Sequence, residues 1–128
     1  MVDTTRTTSP VRPGQPVRGS QTGRPIMALF DLIGRRWTLR IIWELHETDR
    51  PLKFRELRTA CGELSSSVLT KRLHELADAQ LAVHTGEGYA LTPSGRALVV
   101  SLRPILRWAD DWAGAVEVAD RDAEQRAD

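Results

Sequence analysis

Five polar side chains recur along one stretch of the sequence at a spacing that would gather them on one helix face. Ser66, Ser67, Thr70, Lys71 and His74 share one side of a helix of 3.6 residues per turn. Hydroxyl, amine and imidazole groups exchange hydrogen bonds with base edges and phosphates, so this face could pair with a nucleic acid. The same residue types suit a plain solvated face equally well, and taken alone they favour that interpretation.

If this face contacts the bases of a nucleic acid, other basic residues must bind the phosphates of its backbone. No single one is more than an ordinary surface charge by itself, but several around one helix supply the electrostatic contribution that such binding requires. Ser65 or Ser66 is predicted to cap the amino end of the helix, where free backbone N–H groups could also meet a phosphate. Besides Ser65 and the five face residues, the candidate DNA-binding residues are Arg36, Lys53, Arg55 and Arg72.

Catalytic and metal chemistry is not indicated. His46, His74 and His84 do not stand at ligand spacing with one another, with carboxylates or with the single cysteine, Cys61. There is no glycine-rich phosphate loop and no nucleophile motif. We therefore predict no enzyme, no catalytic residue, no metal and no cofactor, with Cys61 a buried thiol.

The elements around the polar face follow from apolar periodicity. Leu69, Leu73 and Leu76 form the inner side of a helix from Ser65 or Ser66 to about Gln80. Three helices are predicted before it, over about 25–33, 36–47 and 54–61, with a short strand at 52–53. Strands at 81–84 and 89–91 follow it, joined by a turn at 86–88, and a last helix runs from 93 to about 118.

A helix, a glycine-containing turn, a second helix and a hairpin together predict a winged helix-turn-helix. The fold class is mainly α (α+β), with a short β-hairpin wing and flanking dimerisation helices. The predicted organisation is a disordered basic arm at 1–24, the folded domain at 25–118 and an acidic flexible tail at 119–128. The net charge is only +1 over 128 residues. The arm carries +3 and residues 109–128 carry −5, so an acidic end masks a basic body.

The last helix carries an apolar stripe with the 4-3-4-3-4 spacing of a coiled-coil seam. A domain of this size cannot easily bury the whole stripe, so we predict a homodimer that shares it with the first helix. The alternative is packing onto its own domain alone. The predicted dimer residues are Ile26, Leu29 and Phe30 in the first helix and Leu98, Leu102, Ile105, Ala109, Trp112 and Val116 in the last.

The sequence lacks both a long apolar span and an N-terminal signal region, which predicts a cytoplasmic protein with no membrane partner.

Several runs resemble the HxlR-type family of winged helix-turn-helix regulators, and we expect a bacterial protein. The matching runs are 25–29, 31–39, 54–58, 65–76 and 89–98, including Leu-Ile-Gly-Arg-Arg-Trp-Thr and Tyr-Ala-Leu-Thr-Pro-Ser-Gly-Arg. The resemblance covers about residues 25–112. It implies a dimer joined by the first and last helices, a recognition helix at Ser65 to Ala79 in the major groove, and a wing near the minor groove.

Three positions depart from the family pattern. Arg24 stands where many relatives have a cysteine, which some use to sense oxidants or electrophiles, so that route is closed here. Ser67 replaces an arginine that relatives often carry early in the recognition helix. Glu87 at the tip of the wing would repel phosphate, which speaks against insertion of the wing.

These features predict a dimeric, sequence-specific DNA-binding transcription regulator of a palindromic operator, with repression favoured over activation. One alternative is a regulator that binds an apolar or aromatic small molecule at the dimer seam, framed by Trp37, Trp43, Trp108 and Trp112. Another is a dimeric protein-interaction module without DNA binding, for which Ser67 and Glu87 argue.

Overall fold

The computed structural model describes residues 11–14 and 24–127. Within these residues the chain forms five helices and one two-stranded antiparallel sheet. The elements are α1 (Pro25–Ile33), α2 (Thr38–Glu47), α3 (Phe54–Ala60), α4 (Ser66–Asp78), β1 (Ala82–Thr85), β2 (Gly88–Leu91) and α5 (Pro93–Ala127). Their order is the one predicted from the sequence.

The chain divides into two compact units, and the first of them contains the helix-turn-helix. It ends at Arg96 and comprises α1 to β2 with the first turn of α5, while the second unit is the rest of α5. In the first unit α2 packs against α1, α3 and β2, and α4 packs against β1. Ile41, Leu57, Leu69 and Leu76 are each 0% exposed, so each stabilises the core by about 1.5–3 kcal/mol.

The connection between α3 and α4 is tight because two consecutive residues adopt left-handed backbone. Gly62 has φ +75° and Glu63 has φ +60°, a conformation that costs a glycine little and a glutamate more. The Glu63 N–H donates to the Arg58 carbonyl at 3.0 Å, and the Arg58 side chain donates from Nε to the Leu64 carbonyl at 2.7 Å. These bonds fix where α4 begins relative to α3.

The hairpin of β1 and β2 pairs Ala82 with Leu91 and Thr85 with Gly88. A third segment joins it, since Leu52 and Tyr89 exchange two backbone hydrogen bonds of 2.9 and 2.7 Å. The prediction of a short strand at 52–53 is thus right in place, with Leu52 the residue that pairs. At Gly88, with φ +136°, a Cβ would come within 2.6 Å of the Leu52 backbone, so only glycine fits there.

Helix α5 begins after a threonine cap and is longer than predicted. The Thr92 hydroxyl accepts from the Gly95 N–H at 3.1 Å and donates to the Gln80 carbonyl at 2.7 Å. The helix ends at Ala127, so the predicted end near Val118 is wrong. Residues 119–127 contain alanine and oppositely charged residues four apart, with neither glycine nor proline, and this composition sustains a helix even without apolar periodicity.

Residues 11–14 lie within the stretch that the sequence predicted to be disordered, yet they make specific contacts. Val11 is 3% exposed, and Arg12 donates from Nε to the Asp78 carbonyl at 3.0 Å. Asp78 is the last residue of α4, where carbonyls lack intrahelical partners and a cation is favourable. Residues 1–10 and 15–23 of the predicted arm lie outside the described residues.

Candidate DNA-binding surface

Helix α4 is fixed by its cap and by its apolar face. The Ser65 hydroxyl accepts from the Val68 N–H at 3.3 Å, as the predicted N-cap should. Leu69, Leu73 and Leu76 are buried with at most 3% exposure. The helix therefore cannot rotate about its axis without exposing apolar surface, and its outward face is determined.

That outward face carries the five polar residues that the sequence selected. Ser66, Ser67, Thr70, Lys71 and His74 are all exposed, and Ser67 lies 3.4 Å from Ser65, hydroxyl to hydroxyl. The face combines small hydroxyls with one ammonium and one imidazole and contains no large apolar group. Such a surface can approach a groove closely and exchange hydrogen bonds with base edges.

Arg72 is also on α4, but its guanidinium is engaged inside the domain. It donates to Glu75 Oε1 at 2.7 Å and to the Arg36 carbonyl at 2.9 Å, and its side chain is only 16% exposed. Of the predicted contact residues, Arg72 is thus the one whose charge is already paired. Arg72 therefore helps to hold α4 in place, and its guanidinium is not free to bind a phosphate.

Glu75 is the centre of a charge network that sequence reasoning missed. Besides Arg72 it pairs with Arg35, which in turn contacts Asp31 Oδ2 at 3.0 Å. The network joins the end of α1, the α1–α2 connection and α4, with side chains no more than 18% exposed. Arg35 and Glu75 are forty residues apart in sequence, and no local spacing signals their contact.

The remaining predicted phosphate contacts lie at the starts of α2 and α3. Arg36, Lys53 and Arg55 are exposed. The Arg36 guanidinium lies 5.7 Å from the Trp37 ring centre, a cation–π distance. Trp37 has φ +77°, so the predicted second helix begins later, at Thr38, because a left-handed residue ends the regular backbone before it.

An additional ion pair, Arg50 with Glu56, stands before α3. Arg50 Nη2 lies 2.6 Å from Glu56 Oε2, and Glu56 also accepts from the Lys53 N–H at 3.0 Å. The hydrogen bond from Arg50, followed by that from the Lys53 backbone, lowers the pKa of Glu56 from 4.5 to about 2. This glutamate completes the first turn of α3, so it is a structural group beside Lys53 and Arg55.

The wing has an aromatic face and an acidic tip. His84 and Tyr89 stack across the strands with ring centres 4.3 Å apart. Glu87 is exposed at the tip, where its N–H donates to the Thr85 hydroxyl at 3.1 Å. Glu87 thus lies at the tip of the wing, as predicted from the sequence.

The predicted dimer residues include large apolar side chains open to solvent. On α1, Ile26 and Phe30 are 42% and 54% exposed, and Leu29 is half-buried. Along α5, Ile105, Trp112 and Val116 are exposed. Leu98, Leu102 and Ala109 are intermediate. Trp108 and Trp112 stack with ring centres 5.5 Å apart.

Two observations concern metal ligands and the thiol in the described part of the chain. It contains no group of three or more histidine, cysteine, aspartate or glutamate residues placed to hold a metal ion. Cys61 is 1% exposed, and burial raises the pKa of its thiol, which disfavours the reactive thiolate. None of the described helices is long and apolar enough to cross a membrane.

A helix-turn-helix whose second helix presents polar side chains, followed by a hairpin wing, defines a winged helix-turn-helix DNA-binding protein. The sequence model of the family described as HxlR-like helix-turn-helix matches residues 32–117, and the chain belongs to that family. It is a DNA-binding transcription regulator, as the sequence predicted, and the predicted mainly helical winged helix-turn-helix fold with a short hairpin wing is confirmed.

Relatives and solved structures agree with this assignment. An uncharacterized HTH-type transcriptional regulator of Methanocaldococcus jannaschii is 28% identical over 94 residues, 70% of this chain and 86% of the relative. The uncharacterized HTH-type regulator YvaP of Bacillus subtilis is 32% identical over 89 residues, 64% and 81% of the two chains.

Two solved structures share the fold. Quinone-bound YodB from B. subtilis aligns with TM-score 0.62 and 31% identity over 67% of this chain and 96% of its own. A possible HxlR family transcriptional factor from Thermoplasma volcanium aligns with TM-score 0.60 and 28% identity over 66% and 81%.

Proposed function

We propose that the protein binds a palindromic operator as a homodimer in the cytoplasm, with α4 of each protomer in the major groove. The observation that carries the proposal is the outward face of α4, where the five predicted polar residues are all exposed. The opposite side of the same helix is fully buried at Leu69 and Leu76. A helix so anchored and so polar outward suits direct readout of base edges.

Exposed apolar residues support the dimer. Phe30 on α1 and Trp108 and Trp112 on α5 are each more than half exposed, and exposed apolar stripes of this kind mark interfaces. Two protomers would present two copies of α4, which fits half-sites about one helical turn, or roughly 34 Å, apart. Arg36, Lys53 and Arg55 would contact phosphates on either side of the groove.

The test is selection of bound fragments from a random duplex library, followed by affinity measurements on the enriched site. We expect an inverted repeat, and Lys71→Ala should weaken binding about tenfold, as loss of one charged contact does. Arg103→Ala, on α5, is the matched control and should bind as the wild type does. An unchanged affinity and site preference in Lys71→Ala would show that the recognition face is wrong.

A second candidate adds a small-molecule effector at the dimer seam. It is supported by the stacked, exposed pair Trp108 and Trp112 and by the quinone bound to YodB. A covalent route through a cysteine before Pro25 is closed, since Arg24 stands there. Tryptophan fluorescence during titration with benzoquinone and naphthalene tests the seam, and an unchanged signal would count against it.

The interaction-module alternative makes the opposite prediction for DNA. A folded, dimeric protein that retains no fragment of genomic DNA at low salt would favour it over operator binding, because non-specific binding by a basic surface is strongest at low salt.

A further inference from the structure

A cavity of about 450 Å³ lies away from α4, between the end of α2, the α2–α3 connection, strand β2 and the first turn of α5. All of its lining belongs to the first compact unit, which ends at Arg96. Its size is in the range that holds small organic ligands, about 300–1,000 Å³.

The lining divides into apolar and cationic groups. Leu45, Pro51 and Leu91 supply hydrocarbon surface, and Leu45 and Leu91 belong to the buried core. Arg50 and Arg96 supply two guanidiniums and Asp49 one carboxylate, and the charge of Arg50 is already paired with Glu56 outside the lining. The lining therefore suits a molecule with an apolar body and a negative charge.

The two guanidiniums differ in what they already bind. Arg50 is paired with Glu56, although 61% of its side chain remains exposed. The Arg96 side chain makes no hydrogen bond or ion pair with the described residues, and its backbone N–H is used by the Thr92 carbonyl at 2.9 Å. Arg96 thus has its planar set of donors free for a carboxylate, which such a group binds through two parallel hydrogen bonds.

His46 adds a polar group without a partner. His46 is among the lining residues, and its Nδ1 is fully buried with no hydrogen bond among the described residues. The nearest acid oxygen, on Glu47, is 3.8 Å away, which is too far for a hydrogen bond. Because 19% of the side chain is exposed while Nδ1 is not, a ligand in the cavity would meet the imidazole at its other atoms.

We propose that this cavity is a binding site for a small organic carboxylate. The Arg96 guanidinium holds the carboxylate with Arg50 at the rim, and the apolar lining holds the ligand body beside His46. The proposal does not depend on operator binding or on a dimer, because every group belongs to one protomer and none belongs to α4.

The experiment is a titration of the 128-residue protein with benzoate, followed by amide and side-chain NMR shifts. Benzamide, which is neutral and of the same shape, and inorganic phosphate, which has no apolar body, are the matched probes. We expect saturable shifts at Leu45, His46 and Leu91 with benzoate and at least tenfold weaker binding of both other probes. Benzamide binding as tightly as benzoate would overturn the charge assignment, and phosphate binding as tightly would overturn the organic ligand.

Two variants locate the site. Arg96→Gln should weaken benzoate binding about tenfold or more, whereas Arg103→Gln, two turns further along α5, should leave it unchanged. Because Arg96 is exposed and unpaired within the described residues, its variant keeps the fold intact. Unchanged benzoate affinity in Arg96→Gln, or saturable shifts confined to residues outside the cavity, would overturn the proposal.

Discussion

At the scale of single residues, the neighbours of Glu56 lower the pKa of its carboxyl group. Its carboxylate accepts hydrogen bonds from Arg50 and from the Lys53 N–H, and both favour the charged form. The pKa is accordingly lowered from 4.5 to about 2. A carboxylate at the first turn of a helix is also well placed relative to the positive end of the helix dipole.

The pH dependence of stability follows from this shift. A group whose pKa is lower in the folded state stabilises the protein above its unfolded pKa, so the Glu56 contribution is complete above pH 4.5. It is lost as the pH falls from 4.5 toward 2. Glu56→Gln keeps the acceptor oxygen but not the charge, so its urea midpoint should fall less steeply than the wild type over this range. Parallel midpoint curves for the two proteins would contradict the assignment.

At the scale of elements, the position of α4 depends on the charge network around Glu75 as well as on its apolar face. Glu75→Gln leaves Arg35 and Arg72 without their shared carboxylate in a site that is only 13–18% exposed. We expect it to lower the free energy of unfolding by about 2 kcal/mol and to weaken operator binding, because α4 loses its tie to α1. Chemical denaturation and operator titration measure the two effects.

Glu44→Gln is the control for this variant. Glu44 forms a comparable pair with Arg40, at 2.8 Å, but Arg40 is 48% exposed, and such surface pairs contribute about 0–1 kcal/mol. Equal losses of stability in the two variants would show that the network around Glu75 holds α4 no more firmly than a surface ion pair.

The structure of the wing depends on one glycine, Gly88, which lies against the backbone of Leu52. In Gly88→Ala the added Cβ would meet the Leu52 backbone at 2.6 Å, and the residue would keep φ +136°. We expect a loss of about 2 kcal/mol or more, from the steric clash and the strained backbone. In Gly86→Ala, two residues away, the Cβ meets nothing within 4 Å, so thermal unfolding should change little. Similar melting temperatures for the two variants would contradict the close approach of Leu52 to β2.

These elements can be predicted from the sequence where the residues that form them lie close together along the chain. Leu69, Leu73 and Leu76 recur at helical spacing, and the side of α4 that faces solvent follows from them directly. Arg72 and Glu75 are three residues apart, so their ion pair is local in sequence. The hydrogen bond from Arg72 to the Arg36 carbonyl and the pairing of Arg35 with Glu75 form only in the tertiary fold. The left-handed backbone of Trp37 could not be predicted from the sequence, because nothing in its residue type suggests positive φ.

At the scale of the whole molecule, the oligomeric state depends on what covers the apolar residues of α5. Trp108 and Trp112 are 60% and 58% exposed, and Val116 is 46% exposed. Burying such a stripe between two protomers would gain about 25 cal/mol per Å² of apolar surface. This gain is the physical basis of the proposed dimer and of the two half-sites in the proposed operator.

Trp112→Glu tests the seam, since a charge in an apolar interface is costly to desolvate. We expect the variant to sediment as a monomer at micromolar concentration and to lose at least tenfold in affinity for the full palindrome, while its affinity for a single half-site is kept. Gly114→Glu adds the same charge about 200° around the helix, where a Cβ has nothing within 4 Å, and should remain a dimer. A dimeric Trp112→Glu protein would place the interface elsewhere, and monomers in both variants would mean that charge on α5, rather than the seam, governs association.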